Sequence, residues 1–227
     1  ETLVIASVSP WLMQRAKLSP ILADKKHVVV LNGLDTDVFH HYSSNHIRAE
    51  LGIKNDEKII FHATPNFTDD PKHIKGGRFV IELAKRMPHI RFVVAGPIYG
   101  EPPKVSSNVL LLGSVTDPNR LAMLYSMADM TLLTSKKETF SMVCAESLSC
   151  GTPVVGFQAG APEQISLPEY SSFVEYGNID LLSTESNKMI SQVFDHKDIA
   201  KKAKEKYSKE VMAQNYINLY KSILTQR

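Results

Sequence analysis

Short apolar runs recur along the chain, and the segments between them carry apolar residues at every third or fourth position. Short continuous apolar runs bounded by turn residues are typical of buried strands, whereas three- and four-residue steps are typical of helices. The predicted strands are 58–63, 90–95, 109–112, 130–134, 153–157 and 172–175. The predicted helices between them are 77–87, 117–128, 141–150 and 162–165.

The alternation of apolar strands with helices predicts an α/β fold, a doubly wound parallel sheet covered on both faces. Right-handed crossovers in such a sheet place ligands outside the carboxyl ends of the strands. The loops that follow the strands are therefore the segments in which we expect a site.

The two ends of the chain depart from this alternation. At the amino end the predicted elements are a strand at 1–10, a helix at 11–16 and a strand at 28–31. The last of these closes at Asn32-Gly33, a turn signal. At the carboxyl end the predicted elements are helices at 180–194, 197–209 and 211–224, and Asp180 is predicted to cap the first of them.

Composition narrows the class of protein. The chain has 227 residues, 43% hydrophobic and 22% charged, which suits one large or two small globular domains. No apolar stretch approaches the ~20 residues that span a bilayer, and no basic residue precedes the apolar run at 3–8 as in a signal peptide. A net charge of +2 with no basic patch argues against a nucleic-acid partner.

The cysteines and histidines predict no metal site. Cys144 and Cys150 fall on opposite faces of one predicted helix, where we expect small core residues in a reducing compartment. The eight histidines form no cluster with ligand spacing. The predicted location is therefore cytoplasmic.

Candidate chemistry centres on the helix predicted at 141–150. The N–H groups of its first turn carry a partial positive charge that suits a diphosphate, and they belong to Phe140, Ser141, Met142 and Val143. A carboxylate beside phosphate would repel it, so Glu138 and Glu146 are expected to accept hydrogen bonds from neutral hydroxyls on either side. Spacing alone leaves equally open that one glutamate is a helix cap and the other a solvated helix residue.

These residues also carry a resemblance. Glu138-Thr-Phe-Ser-Met-Val-Cys-Ala-Glu146 resembles the Glu-x7-Glu signature of retaining GT-B glycosyltransferases of the group 1 type, which use nucleotide-sugar donors. Gly160-Ala-Pro-Glu163 is similar to the Gly-x-x-Glu that follows the next strand in that family. Asn32-Gly-Leu-Asp-Thr-Asp-Val-Phe39 resembles the turn that begins the family's second domain. Motifs in this order over most of the chain are far more specific than any one alone.

The resemblance implies a Rossmann-like half of a GT-B fold and transfer of a sugar, with retention and without a metal, from a UDP- or GDP-linked donor. It implies that Glu138 orients the donor sugar, that Glu146 holds the ribose and that Lys75 contacts the diphosphate. The backbone of Val115 matches the position that pairs with the base. Without the resemblance, the alternative for Lys75 is a solvated loop lysine.

The loops after the strands complete the expected site. Gly96 opens a loop rich in glycine and proline, which is predicted to form one wall of the cleft. The family's second phosphate contact, an arginine after the strand at 58–63, is missing, because no arginine occurs between Arg48 and Arg78. Either Asn66 or Lys72 is expected to replace it, unless backbone groups and Lys75 hold the phosphates alone.

The resemblance also implies a division of the chain. Residues 1–35 are expected to be the remnant of an acceptor-binding domain, 36–208 the donor-binding domain and 209–227 a crossover helix. Glu1 in place of an initiator methionine is expected of a fragment or processed product. The expected partner is then the missing amino-terminal domain of the same protein, without which the chain would bind donor but transfer nothing.

Several alternatives stay open from the sequence. The chain could be a nucleotide-sugar-binding module without chemistry, or another GT-B-like enzyme such as an epimerase or a phosphorylase. The six lysines between 197 and 209 favour a solvated helix, with peripheral contact to an anionic membrane as the second interpretation. A polysaccharide or lipopolysaccharide-type glycan fits the family as product.

Overall fold

The computed structural model describes residues 3–43 and 45–225. The strands in that part of the chain are β1 Val4–Ser7, β2 Lys26–Val29, β3 Ile59–Ala63, β4 Arg91–Ala95, β5 Val109–Gly113, β6 Met130–Leu133, β7 Val154–Phe157 and β8 Ser171–Val174. The helices are α1 Pro10–Lys17, α2 Asn45–Glu50, α3 Gly77–Arg86, α4 Pro118–Ser126, α5 Met142–Ser149, α6 Pro162–Ile165, α7 Ile179–Ser191, α8 His196–Tyr207 and α9 Lys209–Leu224, with a 3-10 turn at Pro168–Tyr170.

Six of these strands form one parallel sheet in the spatial order β5-β4-β3-β6-β7-β8. The chain builds one half outward from β3, then returns to the middle and builds the other half outward from β6. The order therefore reverses between β3 and β6, which pair through Ile60 with Met130 and Phe61 with Thr131. A crevice for ligands opens at this switch point, outside the carboxyl ends of the strands.

The side chains of β3 alternate between two cores, as the two-residue period of a strand requires. Ile60 packs in the cluster that contains Phe79 of α3, whereas Phe61 packs in the cluster that contains Tyr125 of α4. The sheet is thus covered on both faces, and its strands can be almost wholly apolar.

A second, smaller sheet lies apart from the first and consists of β1 and β2 in parallel. The chain leaves β2 and reaches the large domain at Leu34, which forms an isolated bridge with Ser208 at the junction of α8 and α9. The Leu34 N–H donates to the Tyr207 carbonyl at 2.7 Å, and its own carbonyl accepts from the Lys209 N–H at 2.9 Å. The segment that follows β2 is therefore hydrogen-bonded to the junction of α8 and α9.

The predicted α/β fold is confirmed, and each of the six predicted strands of the large sheet is present with ends within one residue. The predicted amino-terminal strand at 1–10 narrows to β1, and its first two residues lie outside the described part of the chain. Two short elements, α2 and the 3-10 turn, were not predicted. Within residues 3–43 and 45–225, no helix combines the length and apolar content needed to cross a bilayer.

One predicted helix cap is wrong. Asn178, and not Asp180, caps α7, because its side chain accepts the Leu181 N–H at 3.0 Å. Asp180 lies in the first turn and pairs with Arg86 of α3. The helix ends at Ser191, before the predicted end at 194, because Gln192 is extended.

Candidate active site

The loop after β3 delivers Lys75 to the carboxyl edge of the sheet. Gly76 caps α3 with a left-handed backbone (φ 66°), and a β-carbon there would lie 2.3 Å from the Thr134 carbonyl oxygen. The Thr134 hydroxyl donates to the Lys75 carbonyl at 2.7 Å. This close approach, which only glycine permits, holds the start of α3 against the end of β6.

Backbone contacts fix the position of Glu138 on the loop between β6 and α5. Its N–H donates to the Ala159 carbonyl at 2.9 Å, and it forms an isolated parallel bridge with Gly160. The Glu163 carboxylate accepts the N–H groups of Ala159 at 3.1 Å and Gly160 at 2.9 Å. The predicted Gly-x-x-Glu segment therefore braces the loop that carries Glu138.

Lys75 and Glu138 form an ion pair, with 2.7 Å between Nζ and Oε1. Their side chains are 24% and 14% exposed, so the pair is partly shielded from water. A lysine ammonium has three donors, and in the described part of the chain this one uses a single donor on a protein acceptor. The remaining two are available to a ligand.

The start of α5 offers free backbone donors between the two glutamates. Ser141 is the cap and has a left-handed backbone (φ 78°), the one non-glycine residue with positive φ among those described. Its hydroxyl accepts the Cys144 N–H at 3.4 Å, which leaves the N–H groups of Met142 and Val143 without an acceptor in the described chain. Phe140 lies in the core and packs edge-on against Tyr207, so only its backbone can reach a ligand.

Four predicted donor-binding residues line one cavity of about 290 Å³ at the switch point: Gly96, Val115, Val143 and Glu146. The cavity is closed by residues that follow the strands or lie on α4: Ala63, Thr64, Pro65, Ala95, Pro97, Ser114, Leu121 and Tyr125. Gly96 is required by close approach, since a β-carbon there would lie 2.4 Å from the Thr64 carbonyl oxygen. The lining is mostly apolar, with a few polar groups, as is typical of pockets for small ligands.

Glu146 supplies the carboxylate of this cavity. The Tyr125 hydroxyl donates to its Oε2 at 2.9 Å, and Oε1 has no donor among the described residues. Burial raises the pKa of Glu146, and the hydrogen bond from Tyr125 opposes that shift. Burial, together with the neighbouring Glu146 charge, raises the pKa of Tyr125 well above its ordinary value, which keeps the hydroxyl protonated as a donor.

The structure thus brings the predicted residues together in two groups. Glu138 and Lys75 form one group, and Glu146 with the cavity residues forms the other. Asn66 joins neither: its Nδ2 lies 3.5 Å from His73 Nε2, and its Oδ1 is buried without a donor. Lys72, the other candidate for the missing arginine, is exposed.

Sequence reasoning located the loops of this site but missed particular side chains. Thr64, Pro65, Pro97 and Ser114 directly follow strands, so the rule that ligands bind at the carboxyl ends could have selected them. Tyr125 carried no such signal, since in sequence it is one more apolar position on α4. Among the described residues, no group of three or more histidine, cysteine, aspartate or glutamate side chains is arranged to hold a metal ion.

Comparison with known proteins identifies a matching family. The family model described as glycosyl transferases group 1 matches residues 43–206. An N-acetyl-alpha-D-glucosaminyl L-malate synthase from Bacillus anthracis is 24% identical over 208 residues, which are 86% of this chain and 52% of that protein. The chain therefore spans about half the length of this curated relative.

Solved structures share the fold. Sucrose-phosphate synthase from Thermosynechococcus elongatus matches with a TM-score of 0.81 at 18% identity, over 99% of this chain and 59% of that one. Anabaena HepE in complex with UDP and glucose matches with a TM-score of 0.73 at 18% identity, over 96% of this chain and 63% of that one. The six-stranded domain is the Rossmann-like half of a GT-B fold.

Proposed function

The chain belongs to the group 1 glycosyltransferase family, and we propose that it is the donor-binding half of a retaining, metal-independent glycosyltransferase. The enzyme moves a sugar from a nucleoside diphosphate to an acceptor hydroxyl in the synthesis of a polysaccharide or lipopolysaccharide-type glycan. Residues 36–208 form the donor domain, residues 1–35 belong to the acceptor-binding side, and 209–227 return the chain to it. The pairing of Leu34 with Ser208 supports this division, because it joins the chain at the two proposed boundaries, 35/36 and 208/209.

The observation that carries the proposal is the order of charges along the crevice. Glu146 lies beside the apolar cavity one turn into α5, the free N–H groups of Met142 and Val143 come before it at the start of the helix, and Glu138 with its partner Lys75 precedes the helix. A nucleotide-sugar has the complementary order: base and ribose hydroxyls, diphosphate, and sugar hydroxyls. HepE was solved with UDP and glucose, which supports the same class of ligand here.

Each group has a role in the proposed reaction. The bond between the anomeric carbon and the diphosphate oxygen breaks, the acceptor oxygen forms the new bond on the same face, and the acceptor proton passes to an oxygen of the departing diphosphate. Lys75 and the N–H groups of Met142 and Val143 stabilise the charge that the departing diphosphate gains. Fixed donors that need no reorganisation supply a large part of such stabilisation. Glu138 accepts hydrogen bonds from the sugar, and Glu146 Oε1 accepts one from the ribose.

Calorimetry with UDP, GDP and their sugar conjugates tests the proposal. Lys75→Ala is expected to weaken binding of the diphosphate by about 1–3 kcal/mol, the cost of losing a charge-assisted hydrogen bond. Lys85→Ala is the matched control, since Lys85 is exposed at the far end of α3. Equal affinity of Lys75→Ala and the unaltered chain would remove Lys75 from the site.

A second variant separates loss of the lysine from exposure of its partner. Lys75→Ala leaves Glu138 without a counterion beside the proposed phosphate site, so repulsion contributes to the loss. In the double variant Lys75→Ala with Glu138→Gln, that repulsion is absent, and UDP is expected to bind more tightly than to Lys75→Ala alone. Failure of the unaltered chain to bind any nucleotide or nucleotide-sugar would overturn the donor-site proposal.

A further inference from the structure

Trp11, the single tryptophan of the chain, lies beside the Glu138 loop although it belongs to the amino-terminal segment. It is the second residue of α1, whose cap is Ser9. The Ser9 hydroxyl accepts the Leu12 N–H at 3.1 Å and donates to the Thr139 carbonyl at 2.6 Å. The start of α1 is therefore hydrogen-bonded to the residue that directly follows Glu138.

The indole ring lies against Gly160. A β-carbon at Gly160 would be 2.5 Å from Cε2 and 2.6 Å from Nε1 of Trp11, so any larger residue would displace the ring. The backbone of Gly160 has φ 106°, a region that L residues rarely adopt. Only glycine fits position 160, because the backbone conformation is unfavourable for other residues and because a side chain there would overlap the indole ring.

The indole N–H is an unused donor at this place. The N–H of Gly160 is already donated to Glu163, and the N–H of Glu138 is donated to Ala159. Within residues 3–43 and 45–225, Trp11 Nε1 has no acceptor, and the side chain is half-buried. An indole nitrogen can only donate, and Trp11 Nε1 is not among the buried atoms without a partner, so it faces solvent, where a ligand can reach it.

We propose that Trp11 contacts the transferred sugar of the donor and that its indole N–H donates to a hydroxyl of that sugar. The inference rests on the proposed function, because it places the sugar next to Glu138. Glu138 and Trp11 then serve the same sugar with opposite hydrogen-bonding character, one as acceptor and the other as donor. A site with both fixes the positions of two hydroxyls and so distinguishes one sugar from another.

The nucleoside diphosphate alone does not reach Trp11 in this arrangement. Its base and ribose lie in the cavity that contains Glu146. Trp11 is therefore expected to discriminate between a nucleotide and a nucleotide-sugar, and the arrangement assigns part of the sugar specificity to a residue of the amino-terminal segment.

The intrinsic fluorescence of the chain tests the proposal directly, because all tryptophan emission comes from Trp11. UDP-glucose, UDP-N-acetylglucosamine and GDP-mannose are titrated against UDP and GDP, with calorimetry on the same samples. The sugar conjugate that binds is expected to shift or quench the emission, and the matching nucleoside diphosphate is expected to change it far less. Identical emission changes with and without the sugar would overturn the proposal.

Trp11→Phe tests the hydrogen bond, since it keeps an aromatic ring on Gly160 and removes the N–H. It is expected to weaken binding of the nucleotide-sugar about three- to tenfold, the range for one neutral hydrogen bond, and to leave the affinity for UDP or GDP unchanged. Equal losses for nucleotide and nucleotide-sugar, or no loss for either, would overturn the role of Trp11.

The two proposals fail in different ways. If the unaltered chain binds no nucleotide-sugar by calorimetry, the donor site itself is wrong and the role of Trp11 falls with it. If the unaltered chain binds one and Trp11→Phe binds it equally well, the donor site stands and only the contact with Trp11 is wrong.

Discussion

His62 shows how the environment of one buried residue affects the whole chain. Its Nδ1–H donates to the Leu132 carbonyl at 2.9 Å, and Nε2 is buried without a partner among residues 3–43 and 45–225. Burial lowers the pKa of His62 to about 4, and the nearby Lys75 charge acts in the same direction. The imidazole is therefore neutral in the folded chain at pH values where it is protonated in the unfolded chain.

The consequence for stability has a definite sign. Because the pKa is lower in the folded state, His62 favours folding above pH 6.5, and this contribution is lost as the pH falls toward 4. Between pH 6.5 and 5 the loss is expected to be about 1.5 kcal/mol. His62→Asn keeps a donor for Leu132 and cannot titrate, so its unfolding free energy in urea is expected to fall less over that range. An equal pH dependence in both chains would contradict the assignment.

At the same scale, some site residues could be predicted from sequence and others could not. Glu138, Glu146 and Lys75 belong to local segments whose spacing and neighbours carry information about a helix start. Tyr125 meets Glu146 only because α4 and α5 pack against each other, and Trp11 meets Gly160 across 149 positions (160 minus 11). Contacts of that kind depend on tertiary packing, which neither periodicity nor motif spacing encodes.

At the scale of elements, the start of α3 is held by glycine backbone geometry. Gly76 and Gly52 have the same left-handed φ of 66°, but their surroundings differ. A β-carbon at Gly76 would lie 2.3 Å from the Thr134 carbonyl oxygen, whereas one at Gly52 would meet nothing within 4 Å. Comparing Gly52 with Gly76 therefore separates the effect of backbone strain from the effect of steric overlap.

Alanine at each of these glycines gives a matched comparison. Gly52→Ala is expected to cost about 1 kcal/mol of unfolding free energy, from the left-handed backbone alone. Gly76→Ala is expected to cost about 3 kcal/mol, because overlap with β6 adds to the strain. It should also weaken nucleotide-sugar binding, since Lys75 moves with α3. Similar urea midpoints for the two variants would show that α3 can shift without cost.

The elements of the large sheet were predictable because each strand is buried on both faces and reads as a continuous apolar run. Their ends agree with the sequence prediction to one residue. The elements that the sequence did not predict correctly are short, or begin at a different capping residue than expected. The helix α2 has six residues and one buried side chain, Ile47, which is too little periodicity to detect. The cap of α7 was misplaced because Asn178 and Asp180 are both good caps by residue type.

At the scale of the whole molecule, the segment that follows β2 packs against the start of α9. A β-carbon at Gly33 would lie 2.8 Å from the Lys209 α-carbon and 3.0 Å from the Met212 β-carbon. The backbone at Gly33 therefore lies directly against α9. Lys209 also pairs with Asp35 at 2.8 Å. The helix has no fully buried residue in the described chain, so these contacts are a large part of what holds it.

Gly33→Ala is therefore expected to loosen α9 specifically. Overlap with the helix backbone should cost about 1–3 kcal/mol and raise the amide exchange rates of α9 and of residues 33–35. Asn215→Ala, at an exposed position of the same helix, is the control and should leave these rates unchanged. Unaltered exchange in Gly33→Ala would show that α9 is held by other contacts.

The ion pair between Lys75 and Glu138 also bears on which ligands the proposed site favours. Each side chain already neutralises the other. A small free anion, such as inorganic phosphate, would accept from the two remaining donors of the ammonium but would lie close to the Glu138 carboxylate, which repels it and to which it offers no hydrogen bond. A molecule with a phosphate and a hydroxyl at the correct separation compensates both groups at once. If the proposed donor site is correct, the ion pair is expected to favour a two-part ligand over a small free anion.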